Sequence, residues 1–230
     1  MGRVADSVRE VQARIAEAAR RVGRGPGEVR LVAVTKTVPV PLILEALEAG
    51  VEWLGENRVQ EAVEKAACFN GKDLRPRWHL VGHLQRNKVR HVFGLFELIH
   101  SVDSLPLIEA LEHRAEMEGA AMDVLLQVNV AGEVSKQGCR PEEAPALAKA
   151  LRASSHLHLR GLMTMPPLPK HAEESRPWFQ ALRSLRDDLV GMGFHEVQEL
   201  SMGMTADFEV AIEEGATWVR IGTAIFGPRE

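Results

Sequence analysis

Leu31-Val32-Ala33-Val34-Thr35-Lys36 is a run of β-branched and apolar residues that ends on a lysine. A run with no polar alternation reads as a strand buried on both faces, the kind that builds parallel sheets. Thr37-Val38-Pro39-Val40-Pro41 breaks the pattern, and a helix follows over 41–49 with Leu42, Ile43, Ala46 and Leu47 inward and Gly50 at its stop. Lys36 would then sit at the mouth of a core with its stem among apolar neighbours. Burial disfavours an ammonium and favours the neutral amine that an imine needs. Taken alone, the stretch fits equally simple packing, a lysine that snorkels past a strand end into solvent.

Outward from this strand the same alternation repeats. Upstream, Val4, Val8, Val11, Ile15, Ala18 and Val22 form one helical stripe, closed by Gly23, Gly25, Pro26 and Gly27. Downstream, strands are expected at Val51–Leu54, Trp78–Val81, Leu98–Val102, Met122–Val130, Leu157–Thr164, Val197–Leu200 and Trp218–Ile221. Helical patterns separate them, over about 58–67, through the basic segment with Asn87, Lys88 and Arg90, up to Gly119, and over 142–153, 173–190 and 206–214. Strict βα alternation implies a parallel sheet with helices outside, and eight units imply a (β/α)8 barrel. An open doubly wound sheet is the alternative, but no Gly-x-Gly-x-x-Gly follows the first strand. Residues 1–230 read as a single domain with no linker. The extra N-terminal helix is expected on the barrel's outside, because the eighth unit has almost no helix of its own.

Composition narrows the function classes. Apolar residues make up 45% and the net charge is −4, which gives no basic stripe for nucleic acid. No apolar run approaches membrane-spanning length, and residues 1–24 lack a secretory pattern. Only Cys68 and Cys139 are present, so a reducing cytoplasm is the expected location. Tyrosine is absent, which removes any chemistry that needs a phenol from this chain.

All strand C-termini of such a barrel meet at one face. Lys36, Asn57, His83, Asp103, Asn129, Met163 and Ser201 fall there, and Arg220 lies two residues before Gly222-Thr223. Ser201-x-Gly203-x-Thr205 and Gly222-Thr223 follow strands seven and eight, where barrels often bind phosphate. A phosphate site opposite a strand-end lysine matches what pyridoxal 5′-phosphate requires. Other readings stay open at this point. Arg220 would also fit an ion pair with Glu199 or Asp207, and Met202 and Met204 fit packing. His79 and His83 have four-residue spacing but share no helical face, so no metal site is expected. Glu56 and Asp103 read as structural carboxylates, and Asn87, Lys88 and Arg90 as a solvated face.

One resemblance spans residues 30–227. Its motifs are Thr35-Lys36, Gly55-Glu56-Asn57-Arg58-Val59-Gln60-Glu61, Trp78-His79-Leu80-Val81-Gly82-His83-Leu84-Gln85 with Asn87-Lys88, and His100-Ser101-Val102-Asp103. They continue with Gln127-Val128-Asn129, Gly161-Leu162-Met163-Thr164, Leu200-Ser201-Met202-Gly203-Met204 with Asp207, and Val219-Arg220-Ile221-Gly222-Thr223-Ala224-Ile225-Phe226-Gly227. The chain resembles the pyridoxal phosphate homeostasis proteins, which are similar to the barrel domain of alanine racemase, the type III fold of pyridoxal-phosphate enzymes. The resemblance implies that Lys36 holds the cofactor as an imine. It makes Ser201, Gly222 and Thr223 phosphate contacts, aided by backbone N–H groups near Gly203 and Met204. Arg220 would face the pyridine nitrogen, Asn57 and Met163 would line the cofactor, and Lys136 in Ser135-Lys136-Gln137-Gly138 would be a secondary contact.

The implied function is a monomeric carrier that holds pyridoxal 5′-phosphate for homeostasis, with apo enzymes as recipients and no catalytic turnover. An always-charged arginine opposite the pyridine nitrogen keeps that nitrogen unprotonated and weakens the electron sink. The alternatives are an amino-acid racemase with Lys36 as one base, and a phosphosugar enzyme of the same barrel.

Overall fold

Eight parallel strands close on one another in sequence order: β1 (Arg30–Val34), β2 (Trp53–Glu56), β3 (Arg77–Leu80), β4 (Phe96–Val102), β5 (Met122–Gln127), β6 (Leu157–Met163), β7 (Glu199–Ser201) and β8 (Trp218–Ile221). β8 returns to β1 with Arg30 opposite Trp218 and Ala33 opposite Ile221. The helices are α1 (Arg3–Arg21), α2 (Val40–Glu48), α3 (Val59–Ala67), α4 (Leu105–Glu118), α5 (Ala144–Ala153), α6 (Arg176–Gly191), α7 (Phe208–Glu213) and α8 (Thr223–Phe226). The computed structural model describes residues 2–71, 74–133 and 136–228. No helix among them is long and apolar enough to cross a membrane.

The pleat divides each buried strand between two cores. On β1, Leu31 and Ala33 join the large cluster between sheet and helices, while Val32 joins a second cluster inside the barrel. That inner cluster is Val32, Val81, Leu98, Leu125, Met163 and Trp218, with Val34, Trp53 and Met165 packed against it. It explains why the strands read as continuously apolar: both faces are covered.

α1 completes the outer ring where α8 has only four residues. It buries Val4, Val8, Val11, Ile15, Ala18 and Ala19. Its Arg14 Nε donates to Glu209 at 2.7 Å, and Arg24 Nη1 donates to the Ile212 and Ala216 carbonyls at 3.0 and 2.9 Å.

Several elements differ from the sequence expectation: β4 starts two residues before Leu98 and β7 two residues after Val197. β2 starts two residues later than Val51, because the Val51 N–H is still donated to the Ala46 carbonyl at the end of α2. β5 stops at Gln127, and Val128 instead bridges to Cys139 across the following loop, of which Val134 and Ser135 lie outside the described residues. The basic segment after β3 is a 3-10 turn over Arg86–His91 rather than an α-helix.

Candidate functional site

A buried polar chain crosses the barrel interior. Arg220 Nη2 donates to the Thr164 carbonyl at 2.8 Å, and Arg220 Nη1 donates to Ser201 Oγ. Ser201 Oγ lies 2.8 Å from His100 Nδ1, and His100 Nε2 lies 3.1 Å from His79 Nδ1. An arginine only donates, so Ser201 Oγ accepts from Arg220. The histidine tautomers set the direction of the other two contacts: a Ser201 hydroxyl that donates to His100 Nδ1 goes with a proton on His100 Nε2 that donates to His79. The His79 ring rests edge-on to Trp218 at 4.9 Å, and Arg30 covers the same indole at 3.9 Å.

Burial sets the charge states. Arg220 is 3% exposed, and burial draws its guanidinium down to about 10, with Asp207 opposing that shift. It therefore remains charged at neutral pH. Burial, with help from the Arg77 and Arg30 charges, holds His79 down to about 3. Burial also holds His100 well below the usual histidine range, with His79 and Arg220 acting in the same direction.

A pH prediction follows from His79. An unfolded histidine takes up a proton below about 6.5, whereas folded His79 does so only near about 3. Between those values the unfolded chain binds more protons, so stability falls as the pH drops through the window. At about pH 5 His79 alone accounts for about 2 kcal/mol of that loss. Urea unfolding at about pH 7.5 and about pH 5 tests it. His79→Gln should lose about 2 kcal/mol less than the parent on acidification, and equal losses would assign the titration elsewhere.

Above this chain, the loops after β7 and β8 shape the mouth. Asp207 Oδ1 accepts the Met204 N–H at 2.8 Å and Asp207 Oδ2 accepts the Ser175 hydroxyl at 2.7 Å, which ties the loop to α7. Gly203 has φ +92°, and a Cβ there would lie 2.5 Å from the Ala211 Cβ, so only glycine lets this loop lie on α7. The Ala224 N–H donates to Thr205 Oγ1 at 3.3 Å and joins the two loops. A cavity of about 370 Å3 opens here, lined by Val34, Asn57, Val81, Met165, Leu168, Met204, Thr205, Ala206, Arg220, Gly222 and Thr223. A second cavity of about 530 Å3 adjoins it at Asn57, lined by Lys36, Arg58, Val59, Gln60, Gly82, His83, Gln85 and Lys88. Neither lining contains a carboxylate.

Lys36 is held by its neighbours in the chain. Thr37 has φ +61°, the one positive φ at a non-glycine among the described residues, and a threonine there is strained. Glu61 on α3 accepts the Thr37 N–H at 2.5 Å. Lys65, one turn along α3, donates to the Thr35 carbonyl and, at 2.7 Å each, to Glu61 Oε1 and Glu56 Oε1. Thr35 Oγ1 donates to the same Glu56 oxygen at 2.6 Å. Burial raises the Glu56 carboxyl, with Lys65 and Thr35 opposing. Burial also acts upward on Glu61, but the hydrogen bonds from Lys65 and Thr37 outweigh it and hold Glu61 low. The backbone on both sides of Lys36 is thereby fixed.

Residues 7–230 match the family model for the N-terminal domain of alanine racemase. A pyridoxal phosphate homeostasis protein of Pseudomonas aeruginosa is 45% identical over all of this chain and 97% of its own length. One of Aquifex aeolicus is 44% identical over 94% of each chain. This chain belongs to the pyridoxal phosphate homeostasis protein family. A solved structure of PipY, a protein of Synechococcus elongatus with pyridoxal phosphate bound, superposes with a TM-score of 0.81 at 38% identity, covering 93% of this chain and all of that one.

In this family member the expected site residues divide into two layers. Asn57, Met204, Arg220, Gly222 and Thr223 line the smaller cavity, and Lys36 and Asn57 line the larger. Ser201 and Met163 are fully buried in the layer below, Ser201 within the polar chain and Met163 in the inner core, and neither lines a cavity. Gly203 serves the packing of its loop. Lys136 is exposed and lines neither cavity. Glu199 is taken by Arg30 and Thr217, and Asp207 by Ser175 and Met204, so Arg220 has no direct carboxylate partner among the described residues. His79 is buried in the barrel while His83 is exposed beside Lys36.

Sequence reading did not single out the lock on Lys36. Its signal was the Glu61–Lys65 spacing of four on a helix, which marks an ion pair. Thr205, already visible in the loop motif, joins the cavity wall, as does Met165 two residues beyond Met163.

Proposed function

We propose that this chain binds pyridoxal 5′-phosphate in the barrel mouth, holds it through Lys36 and supplies it to enzymes that lack it. One observation carries the reading. An amine, Lys36, and a group of hydroxyl and glycine positions, Thr205, Gly222 and Thr223, line two cavities that meet at Asn57. The residues fit this cofactor: a phosphate entering the mouth meets hydroxyls and cations and no lining carboxylate. PipY, with the cofactor bound in its structure, supports the reading at 38% identity.

Bound, the cofactor supplies an aldehyde that condenses with amines and a ring that withdraws electrons from the product. Lys36 provides the amine, on a backbone that Glu61 and Lys65 immobilise. Thr205, Gly222 and Thr223 hold the phosphate. Arg220 is the cation for the ring nitrogen. Its own partners are a hydroxyl and a carbonyl, both neutral, so its charge is undiminished. A fixed cation opposes a proton on that nitrogen, which favours holding over turnover. Ser201 acts through Arg220 by keeping it aimed. The chain works as one barrel domain and a monomer. Cys68 and Cys139 are both free thiols, which suits the cytoplasm.

Titration with pyridoxal 5′-phosphate, followed by visible absorbance, tests the reading. One equivalent should bind per chain. Thr223→Val should weaken binding by roughly ten- to a hundredfold, the worth of one hydrogen bond to a charged group, with the fold intact. No saturable binding by the parent would sink the function. Full affinity in both Thr223→Val and Thr205→Val would move the phosphate elsewhere.

A further inference from the structure

The function above brings only the imine end of the cofactor, at Lys36, into the larger cavity between the loops after β2 and β3, and leaves the cationic side chains of that cavity without a role. Arg58, His83 and Lys88 line it beside Lys36. Several cations elsewhere are neutralised: Arg14 by Glu209, Arg77 by Glu97, Arg152 by Glu196, and Arg176 by three carboxylates. Among the described residues no carboxylate lies within ion-pair distance of Arg58 or Lys88. Arg58 is felt by Glu61, but that carboxylate is already engaged by Lys65 and the Thr37 N–H. Uncompensated cations sharing a concavity, in a chain of net charge −4, repel one another and attract an anion. The cleft is also firmly built. A Cβ on Gly82 would lie 2.3 Å from the Asn57 carbonyl oxygen, so its two loops meet backbone to backbone.

We propose that Arg58 and Lys88 bind the carboxylate of an α-amino acid, with its amine toward Lys36. The proposal rests on the reading that Lys36 holds the cofactor. That function consumes the anion-binding groups at the β7–β8 end, so the cations at this end await a second anion. An α-amino acid carries its amine one carbon from its carboxylate, within reach of the lysine that shares the cleft. The incoming nitrogen forms the bond to the aldehyde carbon that Lys36 gives up. Its two hydrogens end on Lys36 Nζ, and nothing is oxidised or reduced. Lys36 is left as a free amine and the cofactor is no longer tethered, so amino acids would govern its release.

Borohydride trapping of the loaded protein tests this. Peptide mapping reads the fraction of Lys36 tagged as L-alanine is added. Alanine should reduce the tag, and Arg58→Gln with Lys88→Gln should need about tenfold more alanine or above, the loss expected for charge-assisted contacts. Ethylamine, which lacks the carboxylate, should act equally on both proteins, and succinate should compete with alanine in the parent alone. Lys88→Gln by itself, expected to shift the response several-fold, serves if the double variant fails to fold. An unshifted alanine response in the variant, ethylamine as effective as alanine in the parent, or competition by inorganic phosphate but not succinate would each overturn the assignment. A tag absent from Lys36 before any alanine is added would instead sink the reading of Lys36 itself.

Discussion

Lys36→Ala, loaded with pyridoxal 5′-phosphate and treated with borohydride, should retain no covalently attached cofactor. The parent should be tagged at Lys36. Among the other lysines, Lys65 and Lys136 are poor substitutes for physical reasons, and Lys88, which shares the cavity with Lys36, is the position to check for a replacement adduct. Lys65 is buried and donates to three oxygens, Thr35 O, Glu56 Oε1 and Glu61 Oε1, so its nitrogen has no free approach. Lys136 lines neither cavity. Weaker binding should survive in the variant, because the hydroxyls of Thr205 and Thr223 and the charge of Arg220 are untouched. Peptide mapping decides: a main adduct on any other lysine in the parent would defeat the assignment of Lys36.

Arg220→Glu should lose much of the fold's stability rather than merely change the cofactor's electronics. The family resemblance implies that Arg220 faces the pyridine nitrogen, where a carboxylate would favour a proton on that nitrogen. Its surroundings change that expectation. The guanidinium is 3% exposed and donates to the Thr164 carbonyl and to Ser201. A glutamate would face that carbonyl with no cation to pair with, close to the field of Asp207. An uncompensated buried charge costs about 3–5 kcal/mol, a melting temperature lower by roughly 6–20 °C for a chain of this size. Arg220→Gln, which can still donate to Thr164, should fold. It removes the fixed cation, so the visible band of its bound cofactor should titrate with pH where the parent's does not. An unchanged melting temperature in Arg220→Glu would mean that the side chain lies outside the barrel interior.

How far the sequence could be read depended on whether the signal was periodic or spatial. β1 was legible because an unbroken apolar run marks a strand covered on both faces. The role of α1 was legible because the last unit lacked a helix. β2 was misplaced because Val51 looks like a strand residue but spends its N–H on the end of α2. At the site, Lys36, Asn57, Arg220 and Thr223 stood at strand ends and reached the mouth. Ser201 also stood at a strand end, but the pleat turns its hydroxyl into the lumen, toward His100 and Arg220. Local spacing could not reveal that His79 and His100, 21 positions apart, meet in the interior, since only the closed register of the barrel brings them together.

The lock around Lys36 makes the pose of its amine non-transferable. A lysine written onto the first strand of another barrel would arrive without the left-handed backbone at its next residue. It would also lack the carboxylate that accepts that residue's N–H, and the second lysine that ties both to the strand before it. Its stem would then swing freely, and each encounter with an aldehyde would begin from a different direction. The smallest unit that carries the amine in its working pose is the stretch 35–65, two helices and a strand moved together with their loops.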